Sequence, residues 1–79
     1  MTDAPTEPTF GERAVGLTFN PSGDPEVYTV KRQYADIIDD MHALRITTTD
    51  ADQARLASVA ITEAQTAQMW AVKALTWGK

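Results

Sequence analysis

The sequence predicts an all-α fold: an antiparallel two-helix hairpin, preceded by a short helical turn and loop, assembling as a homo-oligomeric helical bundle. Three observations predict it. Apolar residues recur at a 3-4-3-4-3 spacing in two stretches, Val27, Val30, Tyr34, Ile37, Met41 and Leu44 in the first and Ala57, Ala60, Ala64, Ala67, Ala71 and Ala74 in the second. That spacing keeps side chains on one side of a helix. Only a few residues separate the stretches, so the helices must be antiparallel neighbours. Third, the chain has 79 residues and no cysteine. A core that small, with no disulfide to brace it, is most simply completed by association of copies.

Residues 1–9 carry two prolines, two acids and three threonines. With little to bury, they are expected to form a disordered N-terminal tail, and residues 10–79 to form the hairpin domain. From Phe10 the run FGERAVGLTFNPSGDP mixes apolar residues with turn-formers. Gly11, Gly16, Gly23, Pro21 and Pro25 interrupt any single helix, leaving room for a helical turn over Glu12–Val15. Asn20-Pro21 and Ser22-Gly23 mark an ordered loop.

Asp24-Pro25-Glu26 is a helix start. Aspartate caps the free N–H groups, proline suits the first helical position, and glutamate complements the dipole. The helix is expected to run to Leu44 or Arg45, with Ile38 widening its apolar stripe. Ile46 to Thr49 are β-branched and propagate a helix poorly. Asp50 then caps the second helix, with Gln53 as the reciprocal member of a capping box. That helix should reach Thr76 or Trp77, with Gly78 as its stop. Its alanine stripe is too small to fill an ordinary core, so another backbone must approach closely at a shallow angle. The partner is either the first helix or another copy.

Composition excludes several functions. No apolar run approaches the ~20 residues that span a bilayer, and the acidic, proline-rich start is unlike a secretory signal. The expectation is a cytosolic chain with no membrane partner. Seven Lys and Arg against eleven Asp and Glu give a net charge of −4, which argues against DNA or RNA, whose backbone needs a basic surface. No metal site is expected. His42 stands alone, and the helical neighbours Asp36, Asp39 and Asp40 have only Glu63 to face them, so they read as a solvated acidic face. Ser58 and His42 lack an orienting group and an oxyanion donor, and GDPEV lacks the lysine-serine ending of a phosphate loop. No catalytic residue and no cofactor are predicted.

An antiparallel hairpin puts Lys31 and Arg32 at the same end as Lys73 and Lys79. Tyr28, Trp70 and Trp77 gather there too, and the loop bearing Arg13, Phe19 and Asn20 leads into it. Cations interleaved with aromatic rings suit a ligand with bases to stack and phosphates to neutralise. The same tryptophans equally fit a core or an interface between copies, and the lysines solvated flanks.

Three segments carry a resemblance: RAVG at Arg13–Gly16, FNPSGDPEV..VK at Phe19–Lys31, and AITEAQTAQMWAVKALTW at Ala60–Trp77. Together they resemble the short phage proteins that share the anti-CBASS and anti-Thoeris sponge hairpin domain. The resemblance implies a non-catalytic homo-oligomer, a hexamer in the anti-CBASS members, acting in the host cytoplasm. It implies sequestration of cyclic oligonucleotide second messengers, dinucleotides and trinucleotides in separate pockets, or of cyclic ADP-ribose isomers. Lys31 then matches the lysine that clamps cyclic dinucleotides, and Lys73 stands where members often carry arginine near the trinucleotide pocket. Many members have Gly-Tyr where this chain has the longer GLTFNPSG, which passes the stacking role to Phe19 or Tyr28. On this reading Arg13 and Asn20 finish the pocket, and Trp70 and Trp77 line it. Two rivals remain: a helical oligomerisation or protein-interaction module with no small ligand, and a nucleotide hydrolase using Asp36, Asp40 and Glu63.

Overall fold

The computed structural model describes residues 7–79 and holds three helices, α1 (Phe10–Val15), α2 (Pro25–Thr47) and α3 (Ala51–Leu75), with no strand among the described residues. Residues 1–6 of the expected tail lie outside the described residues. Thr9, the last residue expected in that tail, caps α1. Its hydroxyl accepts from the Glu12 N–H, and the Glu12 carboxylate accepts from the Thr9 N–H at 2.9 Å.

Asp24 accepts from the Glu26 N–H and Pro25 opens α2. The helix reaches Thr47, two residues beyond the sequence expectation. Thr47 is accommodated because its hydroxyl donates to the Ala43 carbonyl at 2.8 Å. Asp50 caps α3 by accepting from the N–H groups of Asp52 and Gln53. The expected capping box does not close through Gln53. The Asp50 N–H donates to Thr48 Oγ1, and the Thr48 hydroxyl donates to Gln53 Oε1. Threonine reaches first because it already sits in the turn. α3 ends at Leu75, and Gly78 follows with φ +76°. The Lys79 ammonium meets Asp24 at 2.7 Å, tying the end of the chain to the start of α2 as an antiparallel hairpin requires.

α1 lies along α2 because glycine lets it. A Cβ on Gly11 would fall 2.1 Å from the Ala35 carbonyl oxygen. The bare backbone instead donates its N–H to Asp39 Oδ1 at 2.7 Å, while Thr9 Oγ1 donates to Asp39 Oδ2 at 2.7 Å. Glu12 pairs with Arg32, and the Phe10 ring stacks on His42 with centroids 4.3 Å apart. One row of α2, residues 32, 35, 39 and 42, is thereby given to α1. This shifts the buried stripe of α2 from the expected one. Ile37 is 51% exposed, whereas Lys31, Ala35 and Ile38 are buried. The sequence pattern allowed for one neighbour, and α2 has two.

The core joins Val15, Leu17, Ala35, Ile38 and Ile61, with Phe10, Tyr34, Met41 and Ala64 against it. Full burial of a side chain such as Ile38 is worth about 1.5–3 kcal/mol, so few such residues carry the fold. The alanines divide. Ala57, Ala64 and Ala71 turn toward the hairpin interior, whereas Ala67 and Ala74 are exposed and Ala60 lies at the edge. The exposed set alternates with Leu56, Glu63 and Trp70 on α3, and with Trp77 in the turn after it, at seven-residue intervals, a seam with no neighbour among the described residues.

Candidate functional site

The loop between α1 and α2 is built from its own backbone and two long side chains. Gly16 ends α1 with φ +61°, a left-handed conformation that glycine takes without strain. The Phe19 N–H donates to the Gly16 carbonyl, and the Gly23 N–H to the Asn20 carbonyl. Asn20 spends its amide inside the loop: Nδ2 donates to the Asp24 carbonyl at 2.8 Å, and Oδ1 accepts from the Ser22 hydroxyl at 2.7 Å. From α2, Lys31 reaches in beneath. Its Nζ donates to the carbonyls of Gly16 at 3.0 Å and Phe19 at 2.5 Å. The Phe19 ring stands outside, 71% exposed, with its centroid 5.5 Å from that ammonium.

Lys31 is 5% exposed and, among the described residues, meets no carboxylate. Burial draws its pKa below the ordinary lysine range. Carbonyl dipoles solvate the ammonium without neutralising it, so a net positive charge lies under the loop.

Two clefts open on either side of this pair. One, of about 350 Å³, lies between the Phe19–Ser22 loop and the last turns of α3, where Gln68, Met69, Val72 and Thr76 form the wall; Val27 and Lys31 contribute from α2. The other is wider and shallower, about 750 Å³, and runs from Arg13–Gly16 to Thr62, Gln65 and Thr66 of α3. Phe19, Lys31, Gln68 and Met69 belong to both and form the ridge between them.

The sequence-predicted site residues fall into two groups. Phe19, Asn20 and Lys31 meet at the smaller cleft. Arg13 flanks the wider one, exposed, with its guanidinium donating to the Pro8 carbonyl at 2.9 Å. Trp70, Lys73 and Trp77 form a separate cluster that lines neither cleft. The Lys73 ammonium lies 5.4 Å and 5.9 Å from the two indole centroids, and both rings are exposed, 66% and 76%. Tyr28, half-exposed in the first turn of α2, joins neither group.

Sequence reasoning missed Gln68, Met69 and Val72. A signal was present for Gln68: it occupies an inward position of α3, between Ile61 and Leu75, that apolar residues otherwise hold. The acidic face has structural duties, since Asp36 pairs with Arg32 and Asp39 anchors α1. Among the described residues no cluster of three or more His, Asp or Glu is placed to hold a metal ion.

The family model described as Acb2/Tad1, hairpin domain, matches residues 12–76. No curated protein and no solved structure matches the chain significantly. The matched segment begins inside α1, takes in the loop and both long helices, and ends in the turn after α3.

Proposed function

The chain belongs to the Acb2/Tad1 hairpin family of anti-CBASS and anti-Thoeris sponges, and from that membership we propose that it sequesters cyclic oligonucleotide immune messengers, uncleaved, in the host cytoplasm. The messengers are cyclic dinucleotides or trinucleotides, or cyclic ADP-ribose isomers, and their removal keeps CBASS or Thoeris effectors silent. The observation that carries this reading is the buried, unneutralised ammonium of Lys31 beneath the exposed Phe19 ring at a cleft. A ring to stack a base and a cation to meet a phosphate stand side by side.

Lys31 has three N–H donors, and two are committed to loop carbonyls. The third is enough for one phosphate oxygen. A messenger with two or three phosphates needs more cations than one protomer supplies here. Assembly answers that need, and a hexamer would repeat the Lys31 and Lys73 sites six times. The exposed seam formed by Leu56 and Trp70 of α3 and by Trp77 just beyond its end is the surface on which copies associate. It also favours the second reading, an interaction module with no small ligand.

One experiment separates the two. The purified protein is melted with a panel of cyclic di- and trinucleotides and cyclic ADP-ribose isomers, and the ligand is then recovered from denatured protein. Ligand at 100 times Kd stabilises by about 2.7 kcal/mol, a shift of several degrees for a domain this size. A shift with intact ligand supports the sponge. No shift with any of them leaves the interaction module, and cleaved ligand would mean an enzyme.

A further inference from the structure

Gln68 is 6% exposed and lies in the wall shared by both clefts. Its amide makes no hydrogen bond to any described residue, although among the described residues no sealed polar side-chain atom is left without a partner. The amide must therefore open on the cleft rather than into the core. A purely structural role at this inward helix position would be served as well or better by leucine or methionine.

The surroundings define what the amide meets. Phe19 stands on the loop side of the smaller cleft, Met69 and Val72 on the α3 side, and the Lys31 ammonium at its base. An apolar slot with one donor–acceptor pair suits a flat heterocycle that carries an acceptor beside a donor. The cleft of about 350 Å³ is at the small end for ligand sites, which run from roughly 300 Å³ upward. It admits one nucleoside and leaves the rest of a cyclic messenger outside.

We propose that Gln68 is the base-reading residue of this cleft, pairing through its carboxamide with the N6–H and N7 edge of adenine while the ring stacks on Phe19. The proposal rests on the sponge reading and adds to it a specificity determinant and a preferred base. A carboxamide matches that adenine edge with two hydrogen bonds, whereas the same edge of guanine offers two acceptors and no donor.

The probes are cyclic diadenylate, its 7-deaza-adenine analogue, and AMP. The native protein is expected to bind cyclic diadenylate about tenfold more tightly than the analogue, which lacks N7, a factor within the range of one bidentate base contact. Gln68→Met, which keeps the side-chain length and suits the apolar surroundings, is expected to bind both equally weakly. Gln68→Glu, with no N–H to offer N7, should behave the same way. AMP at millimolar concentration should move the Gln68 side-chain amide resonances in the native protein. Discrimination that persists in Gln68→Met, or amide resonances unmoved by AMP, overturns the assignment. If AMP moves them but no cyclic messenger binds, the sponge reading falls and the base slot stands.

Discussion

The Lys31 ammonium donates to the Phe19 carbonyl at 2.5 Å while the Phe19 ring lies 5.5 Å from the same nitrogen. One side chain thus fixes the loop and charges the cleft that the loop borders. Loop order and the charge at the cleft are coupled through it, and a substitution here cannot be read as loss of charge alone. Lys31→Met removes two charge-assisted hydrogen bonds and also the burden of burying the charge. The net loss should be about 1–2 kcal/mol, read as a melting point lower by roughly 4–16 °C. Amide exchange at Phe19 and Gly23 should accelerate, while α3 stays protected. Unchanged exchange in the loop would show that Lys31 does not hold it.

Gly11→Ala tests the docking of α1. The added Cβ would sit 2.1 Å from the Ala35 carbonyl oxygen and 2.9 Å from Asp39 Oδ1. Both neighbours are fixed, one as backbone and the other by the bonds it makes to α1. α1 must lift, losing the Phe10–His42 stack and strain-free access to Asp39. Overpacking of this kind costs about 1–3 kcal/mol, and the exchange of Arg13 to Leu17 amides should report it first. Gly23→Ala meets no atom within 4 Å but has φ +69°. It should cost less, about 1 kcal/mol, through backbone strain alone.

The helices were legible because their signals are local. Asp24, Pro25 and Asp50 act on groups two or three residues away, and the short turn at 48–50 forces the hairpin. The docking of α1 was not legible, since Gly11 meets Asp39 across 28 residues and neither residue announces the other. The same blindness misplaced the buried stripe of α2, as Ile37 shows. Phe19, Asn20 and Lys31 were found as a group because chemistry and loop position coincide. Trp70, Lys73 and Trp77 were expected beside them because an end of a hairpin can be read from sequence but a face cannot. Gln68 was missed for the opposite reason. A polar residue among alanines looks like surface until the helix is placed.

Acid should weaken the molecule at defined points. Hydrogen bonding to Arg32, with the Thr9 backbone, holds the Glu12 carboxyl below its ordinary 4.5. The bond from Lys79, with the Glu26 N–H, holds Asp24 below 3.8. A carboxyl depressed in the folded state stabilises fully above its unfolded value, and that contribution is lost as pH falls through the folded value. The melting point should therefore be level above about pH 5 and fall steadily below about pH 4.5. Glu12→Gln together with Asp24→Asn should start lower at pH 7 and lose part of that slope. A double variant with the native slope would place the acid sensitivity elsewhere.

The divided alanine stripe gives two substitutions that look alike in sequence and should act on different levels. Ala64 packs against the core cluster of the hairpin, whereas Ala67, three residues on, is exposed between Glu63 and Trp70 on the outward seam. Ala64→Leu adds volume where α2 and α3 already touch. It should lower the melting point by roughly 4–24 °C, in line with an overpacking cost of about 1–3 kcal/mol. Ala67→Glu adds a charge that water solvates in the free protomer, so helix content should stay native. On the assembled seam it would be buried without a partner, and light scattering should show a smaller particle at every concentration. Because Trp70 follows Ala67 on that seam and the Lys73 ammonium lies 5.4 Å from its ring, messenger binding should weaken with assembly in Ala67→Glu. Native particle size in that variant would move the contact between copies off this seam, and full binding by a dissociated protomer would show that one copy completes the site alone.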